Sequence, residues 1–318
     1  MKAVQILGDV SSPNIFTNYS METPEVKDSE ILIRVHAAGI TGDEIIWPEP
    51  YASATRIPGH EISGIVSALG PNYDGPLSID QEVLAFLHTD RGQAQADYVV
   101  CLPDEVAVKP TSISHAQAAA LPIPLLTAWE AITDHAMVKP GMRVFITGAS
   151  GAVGIMAVQL ARKLAGAFVI ALASPRNHEM LKGLGANEVL DYNVSGWEKS
   201  VVGVDVVFDT VGGEVLAKTW ECVKDDGVIV TVGDPAPDWA FGRGQAPEAV
   251  QCPNVRYFHF IVSPNAKRME DGSEMVAAES LTTLAVKRFP FNEAKAAWGY
   301  AQKRNRVEKV VIDFIEEN

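Results

Sequence analysis

The spacing of apolar residues changes character near residue 125 of the chain. Before that point the apolar positions fall in short segments separated by Gly, Pro, Asp and Asn, as in Ile31 to Ala37, Glu61 to Ala68 and Gln81 to Phe86. Such segments, bounded by turn residues, predict an irregular, mainly β domain. After it, predominantly apolar runs at Arg143 to Thr147, Ala167 to Ala173, Val204 to Asp209 and Gly227 to Val232 alternate with helical periodicity over Val153 to Leu164 and His178 to Leu184. Strands that are apolar on both sides need a parallel sheet with helices on both faces. Residues 125–262 are therefore predicted to form a doubly wound α/β domain. Beyond Pro264 the pattern predicts a helix carrying Met275, Leu281, Leu284 and Val286, then a final strand from Lys309 to Ile315. A last strand must pair somewhere, and the irregular β domain is its expected host. That makes the first domain discontinuous, 1–124 with 263–318. No internal repeat or low-complexity tract interrupts the pattern.

Composition narrows the function classes. A chain of 318 residues exceeds the size at which a single core is usual, which agrees with two domains. With 47% hydrophobic and 21% charged residues it has the apolar content of a folded protein. A formal net charge of −14 repels phosphate backbones and anionic lipid, so neither nucleic acid nor a membrane is expected as a partner. Cys101, Cys222 and Cys252 are too few and too scattered for a disulfide framework or a Cys-rich zinc lobe, which points to a reducing compartment. The opening Met1 to Ile6 reads as strand rather than as a secretion signal, and no apolar stretch approaches the ~18 residues of a membrane span. The expected location is the cytoplasm.

The most informative segment is Gly148-Ala149-Ser150-Gly151-Ala152-Val153-Gly154, between a predicted strand and a predicted helix. Small residues there let the backbone turn tightly and approach a pyrophosphate, whose charge then sits at the helix N-terminus. The strict G-x-G-x-x-G spacing is met only as Ala149, Gly151 and Gly154, so the flanking strand and helix carry the assignment. An NAD site places a carboxylate at the end of the second strand, about 20 residues further on. Here that strand ends Ala173-Ser174-Pro175-Arg176. Ser174 and Arg176 suit the 2′-phosphate of NADPH, the alternative being that Arg176 is a solvated residue at a helix start.

The order of motifs resembles the medium-chain dehydrogenase/reductase superfamily over nearly the whole chain. The resemblance rests on Val35 to Ile40, Pro58-Gly59-His60-Glu61 with Gly64 and Val66, Ala118 to Pro122 followed by Leu126-Thr127-Ala128-Trp129, the 148–154 loop, Leu184 to Tyr192, and Val207 to Gly213. It implies a Rossmann-type domain joined to a GroES-like catalytic domain. Zinc-dependent members hold a catalytic metal with two Cys and the His of the Gly-His-Glu motif. Thr41 stands at the first Cys position and Ile123 at about the second, leaving His60 alone, so no metal is expected. Zinc-free members with this pattern are the quinone oxidoreductases and related enone reductases. The resemblance further implies NADPH contacts from Tyr192, Val211, Val232, Phe260 and Arg304. It places Thr127 near the nicotinamide and Thr41 in the catalytic region. Tyr51 matches a pocket tyrosine that hydrogen-bonds a substrate carbonyl, or else is a loop tyrosine. A homodimer through the edge of the α/β sheet is usual in the family. Glu308 departs from it, since Gly commonly precedes the last strand.

Without a metal, the expected chemistry is hydride transfer that leaves a delocalised charge, as in conjugate reduction of an enone or reduction of a quinone. Two rival readings stand beside it. One is an enoyl reductase acting in trans in a polyketide or other secondary-metabolite pathway, with the Asp234 to Gly244 loop shaping its pocket. The other is a non-catalytic NADPH-binding protein.

Overall fold

The computed structural model describes residues 1–303 and 306–315. The chain separates into two compact units, Met1–Leu126 with Ser263–Asn318, and Thr127–Val262.

The first unit opens with an antiparallel pair, β1 (Ala3–Leu7) and β2 (Asn14–Asn18). Then come β3 (Ile31–Ile40), the short helix α1 (Glu49–Ala52), β4 (Glu61–Leu69), β5 (Glu82–Phe86), β6 (Tyr98–Cys101) and β7 (Val106–Val108). Helix α2 (His115–Ala119) starts with a capping box, in which Ser114 Oγ accepts from the Gln117 backbone N–H and Gln117 Oε1 accepts from that of Ser114. Helix α3 (Pro122–Glu130) runs into the second unit.

The second unit alternates strand and helix: β8 (Arg143–Ile146), α4 (Ala152–Lys163), β9 (Phe168–Ala173), α5 (His178–Leu184), β10 (Glu188–Asp191), β11 (Val204–Asp209), α6 (Gly213–Thr219), β12 (Val223–Thr231) and β13 (Arg256–His259). The six strands form a wholly parallel sheet in the order β10-β9-β8-β11-β12-β13. Chain direction across the sheet reverses between β8 and β11. In a doubly wound sheet this switch point, at the carboxyl ends of the strands, is where ligands bind. Trp239 of the Asp234 to Gly244 loop is buried in this unit's core, edge-on to Tyr257 with ring centroids 4.9 Å apart, whereas Phe241 is exposed.

The chain then returns to the first unit with α7 (Ala266–Ala277), β14 (Val286–Pro290), α8 (Ala294–Ala301) and β15 (Lys309–Asp313). Strand β15 pairs antiparallel with β3 and parallel with β14, completing a sheet ordered β14-β15-β3-β4-β5-β7, with β6 also on β3. The helix expected to reach Val286 ends at Ala277 instead. Leu281 and Leu284 are buried in the connection, and Val286 opens β14. Pairing with β15 outweighs the local helical spacing there. Helix α8 buries Ala294, Ala297, Trp298 and Ala301 at helical spacing, and Trp298 Nε1 donates to Gln95 Oε1 at 3.0 Å within the core.

Candidate active site

The 148–154 loop leaves the end of β8 and enters α4 at the switch point. Gly148 has φ +58°, and a Cβ there would lie 2.3 Å from Thr210 Oγ1, so only glycine fits without displacing β11's loop. At Gly154 a Cβ would lie 2.4 Å from the Gly148 carbonyl, which shows how closely the helix packs on the turn. Gly151 differs. Its backbone is extended, at φ −77° and ψ 170°, and a Cβ would meet only the Gly148 carbonyl, at 3.2 Å. Open space therefore lies over Gly151, beside the first N–H groups of α4, and a pyrophosphate fits there by charge and by room.

Around this turn the backbone is held by Asp209, fully buried at the end of β11. Its carboxylate accepts from Thr147 Oγ1 at 2.5 Å, Thr231 Oγ1 at 2.7 Å, Gly212 N at 2.9 Å and Val211 N at 3.3 Å. One anion thus ties together the carboxyl ends of β8, β11 and β12. Val232 N donates to the Asp209 carbonyl at 3.0 Å. Val211 and Val232, both expected at the cofactor, accordingly belong to the same frame. Apolar periodicity does not mark Asp209 as a site residue; its sequence signal is a carboxylate closing β11 within the Val207 to Gly213 segment.

At the end of β9, Ser174 starts a single 3-10 turn, Pro175–Asn177, that leaves Arg176 exposed. Tyr192, just past the end of β10, is also exposed. Both lie beyond the carboxyl ends of neighbouring parallel strands, and the register of β10 on β9 sets Asp191 against Ala173. Phe260, just past β13, is buried against His135, ring centroids 4.4 Å apart. Thr127 is buried on α3. Arg304 lies outside the described residues.

In the first unit the Gly-His-Glu segment heads β4. His60 Nδ1 lies 3.1 Å from Glu44 Oε1, and its Nε2 lies 3.1 Å from the Thr89 carbonyl. Burial by itself would depress the pKa of this imidazole. The charge and hydrogen bond of Glu44, the Thr89 carbonyl and the Glu49 charge outweigh it, and the net shift is upward. Glu44 Oε1 also accepts from Gly59 N at 2.6 Å. His60, Glu44, Glu49, Asp90 and Ser53 line a cavity of about 450 Å³.

The neighbouring Glu61 is buried and forms an ion pair with the ammonium of Lys309. Its other oxygen accepts from Ile123 N at 3.1 Å, and Lys309 Nζ donates to Thr41 Oγ1 at 3.3 Å. Tyr51 is turned away from such chemistry. Its hydroxyl donates to the Ile45 carbonyl at 2.5 Å, its ring packs on the core, and it is not among the residues lining the cavity. Burial, with the charge of Asp9, raises its pKa, so the proton is held more firmly.

A zinc ion does not fit these donors. His60 is the lone imidazole among these donors, its Nε2 3.1 Å from the Thr89 carbonyl, whereas zinc favours several nitrogen or sulfur ligands. The Glu61 carboxylate already faces a cation, and Thr41 and Ile123 supply no thiolate.

Residues 27–118 match the alcohol dehydrogenase GroES-like domain, and residues 184–312 match the family model described as zinc-binding dehydrogenase. A probable zinc-binding oxidoreductase, mitochondrial, of Arthroderma benhamiae is 30% identical over 310 residues, covering 92% of this chain and 90% of its own. The chain belongs to the medium-chain dehydrogenase/reductase superfamily. The 2-methylene-furan-3-one reductase of Solanum lycopersicum is 28% identical and is covered over 74% of its length by 92% of this chain. The solved quinone oxidoreductase from Coxiella burnetii superposes with a TM-score of 0.86 at 29% identity, over 99% of each chain. These place the chain in the quinone and enone reductase branch of the superfamily. It is an oxidoreductase that works with a nicotinamide cofactor.

Proposed function

We propose that the protein is a zinc-independent, NADPH-dependent reductase of quinones or α,β-unsaturated carbonyl compounds. The observation that carries this reading is the Lys309–Glu61 ion pair beside Thr41, a set of groups with no thiolate and with His60 as its single imidazole. A centre without a Lewis acid suits acceptors in which the arriving charge spreads over a conjugated system. The enone and quinone chemistry in the names of the tomato and Coxiella relatives supports the same substrate class.

When bound, NADPH supplies a hydride. The residues of the second unit hold it. The 148–154 turn receives the pyrophosphate at the α4 N-terminus, and Ser174, Arg176 and Tyr192 receive the 2′-phosphate. Val211, Val232, Phe260 and Thr127 are assigned to the nicotinamide half. The absence of a carboxylate on β9 itself, which ends Ala173-Ser174, supports NADPH over NADH.

The test is NADPH oxidation by the purified protein against a panel of quinones, enones and saturated ketones, with bound zinc measured in parallel. Turnover of quinones or enones without zinc is the expected result. Near-stoichiometric zinc, or a preference for saturated ketones, overturns the reading, and no turnover of any member would favour a binding protein.

A further inference from the structure

We propose that the cavity beside His60 is a binding site for a small molecule that carries a primary ammonium group on an apolar body. The proposal goes beyond the reductase reading and does not depend on it, since every lining residue belongs to the first unit.

Local structure brings the lining together. Glu44 opens a 3-10 turn that follows β3, Glu49 is the first residue of α1, and His60 leads into β4. The connection after β5 closes the other side with Asp90 and Gly92. Gly92 has φ +52°, and a Cβ on it would lie 3.0 Å from His60 Nε2, so this connection passes directly over the imidazole. At about 450 Å³ the enclosed space falls within the range of small-molecule pockets, roughly 300 to 1,000 Å³.

Its floor holds a carboxylate that the protein satisfies on one side alone. Glu44 is only 1% exposed. Gly59 N, at 2.6 Å, and His60 Nδ1, at 3.1 Å, both meet its Oε1. No donor among the described residues reaches Oε2, yet that oxygen is not sealed off in the interior, so it faces the open space of the cavity. A carboxylate oxygen only accepts, and one withdrawn from bulk water calls for a donor from the occupant. Glu49 and Asp90, both exposed, add negative charge at the mouth. Arg91 on the wall does not cancel it, because its guanidinium donates to the buried Glu105 at 3.4 Å and to the Val100 carbonyl at 2.9 Å. The occupant that suits this field is a cation.

The lining narrows the kind of cation. Among the described residues no three His, Cys, Asp or Glu side chains are grouped to hold a metal ion, which favours an organic one. No Phe, Tyr or Trp lines the cavity, so it lacks the aromatic faces on which a quaternary ammonium rests, and a head group with N–H donors fits Oε2 better. Pro50, Ala52 and Ile57 supply apolar wall for the rest of the molecule.

The experiment is a calorimetric titration of the full chain with hexylamine, which is protonated at neutral pH. The comparison ligands are 1-hexanol, hexanoate and hexyltrimethylammonium, which keep the chain and change the head group. Hexylamine should saturate one site per chain, and the other three should bind about ten-fold more weakly or worse. Glu44→Gln should weaken hexylamine by about ten-fold or more. Glu44 also holds the Gly59 backbone, so Tm is read alongside, and a second variant, Glu49→Gln/Asp90→Asn, alters exposed carboxylates at the mouth alone. That variant should weaken hexylamine by about three-fold and flatten its dependence on salt. The proposal fails if hexylamine does not bind, if hexanol or hexyltrimethylammonium binds equally well, or if folded variants keep wild-type affinity. Calcium binding that is lost in Glu44→Gln would put an inorganic ion in the cavity and overturn it as well. Neither NADPH nor an enone enters the titration, so each of these failures leaves the reductase reading standing.

Discussion

Three glycines of one turn serve three different ends. Gly148 satisfies a left-handed backbone, Gly154 permits contact between helix and turn, and Gly151 leaves space. Substitution therefore separates folding from binding. Gly151→Asp meets only one carbonyl at the edge of tolerance and needs no unusual φ, so the fold should survive while the added carboxylate repels the pyrophosphate. Calorimetry should show no measurable NADPH binding, with Tm within a few degrees of wild type. Arg176 is the second residue to test. A guanidinium contact to a phosphate is worth about 1.5 to 3 kcal/mol, so Arg176→Ala should shrink the NADPH to NADH preference by ten-fold or more. Kinetics with NADH should barely change, because only NADPH carries the phosphate; equal weakening with both cofactors would remove Arg176 from the site.

At the scale of the element, the connection after β5 is held from two sides. Glu105 Oε1 accepts from His88 N at 2.7 Å, and the Thr89 carbonyl faces His60 Nε2. The His60 contact is a titrating one. Its folded-state pKa is raised, so the protonated ring is favoured by folding. The stabilisation is then fully present below the unfolded value of about 6.5 and is lost as pH rises through the folded pKa. The Tm gap between wild type and His60→Gln should be widest at mildly acidic pH and narrow as pH rises past neutrality. Thermal melts of both proteins across that range check this, and a gap independent of pH would show that the ring contributes packing alone.

For the whole molecule, the decisive element is the last strand. Strand β15 is buried over Lys309 to Ile312 and joins β14 to β3, so the first unit's sheet is completed by residues at the far end of the chain. Deleting 309–318 strips β3 and β14 of a neighbour and should abolish cooperative melting of the first unit. The second unit has its own core, built on Phe145, Ile170, Val207, Ile229 and Trp197. A fragment of residues 127–262 should therefore fold alone, with α/β circular dichroism, and bind NADPH. A fragment without ordered structure would show that its core is insufficient.

The sequence by itself determined what depends on local period and on single-residue conformational freedom. Apolar runs marked the buried parallel strands β8, β9 and β11, and the glycines of 148–154 marked a turn that no other residue type makes as readily. Periodicity reports which face is buried but not which strand lies next to it. For that reason the meeting of Lys309 with Thr41, 268 residues apart, was legible only after pairing and register were set. The tertiary structure likewise decided that Val286 belongs to a strand, that Tyr51 spends its hydroxyl on Ile45, and that Asp209 gathers donors from three strand ends. Each of these is a hydrogen bond or strand pairing, and such bonds join groups that only the folded chain brings within about 3 Å of one another.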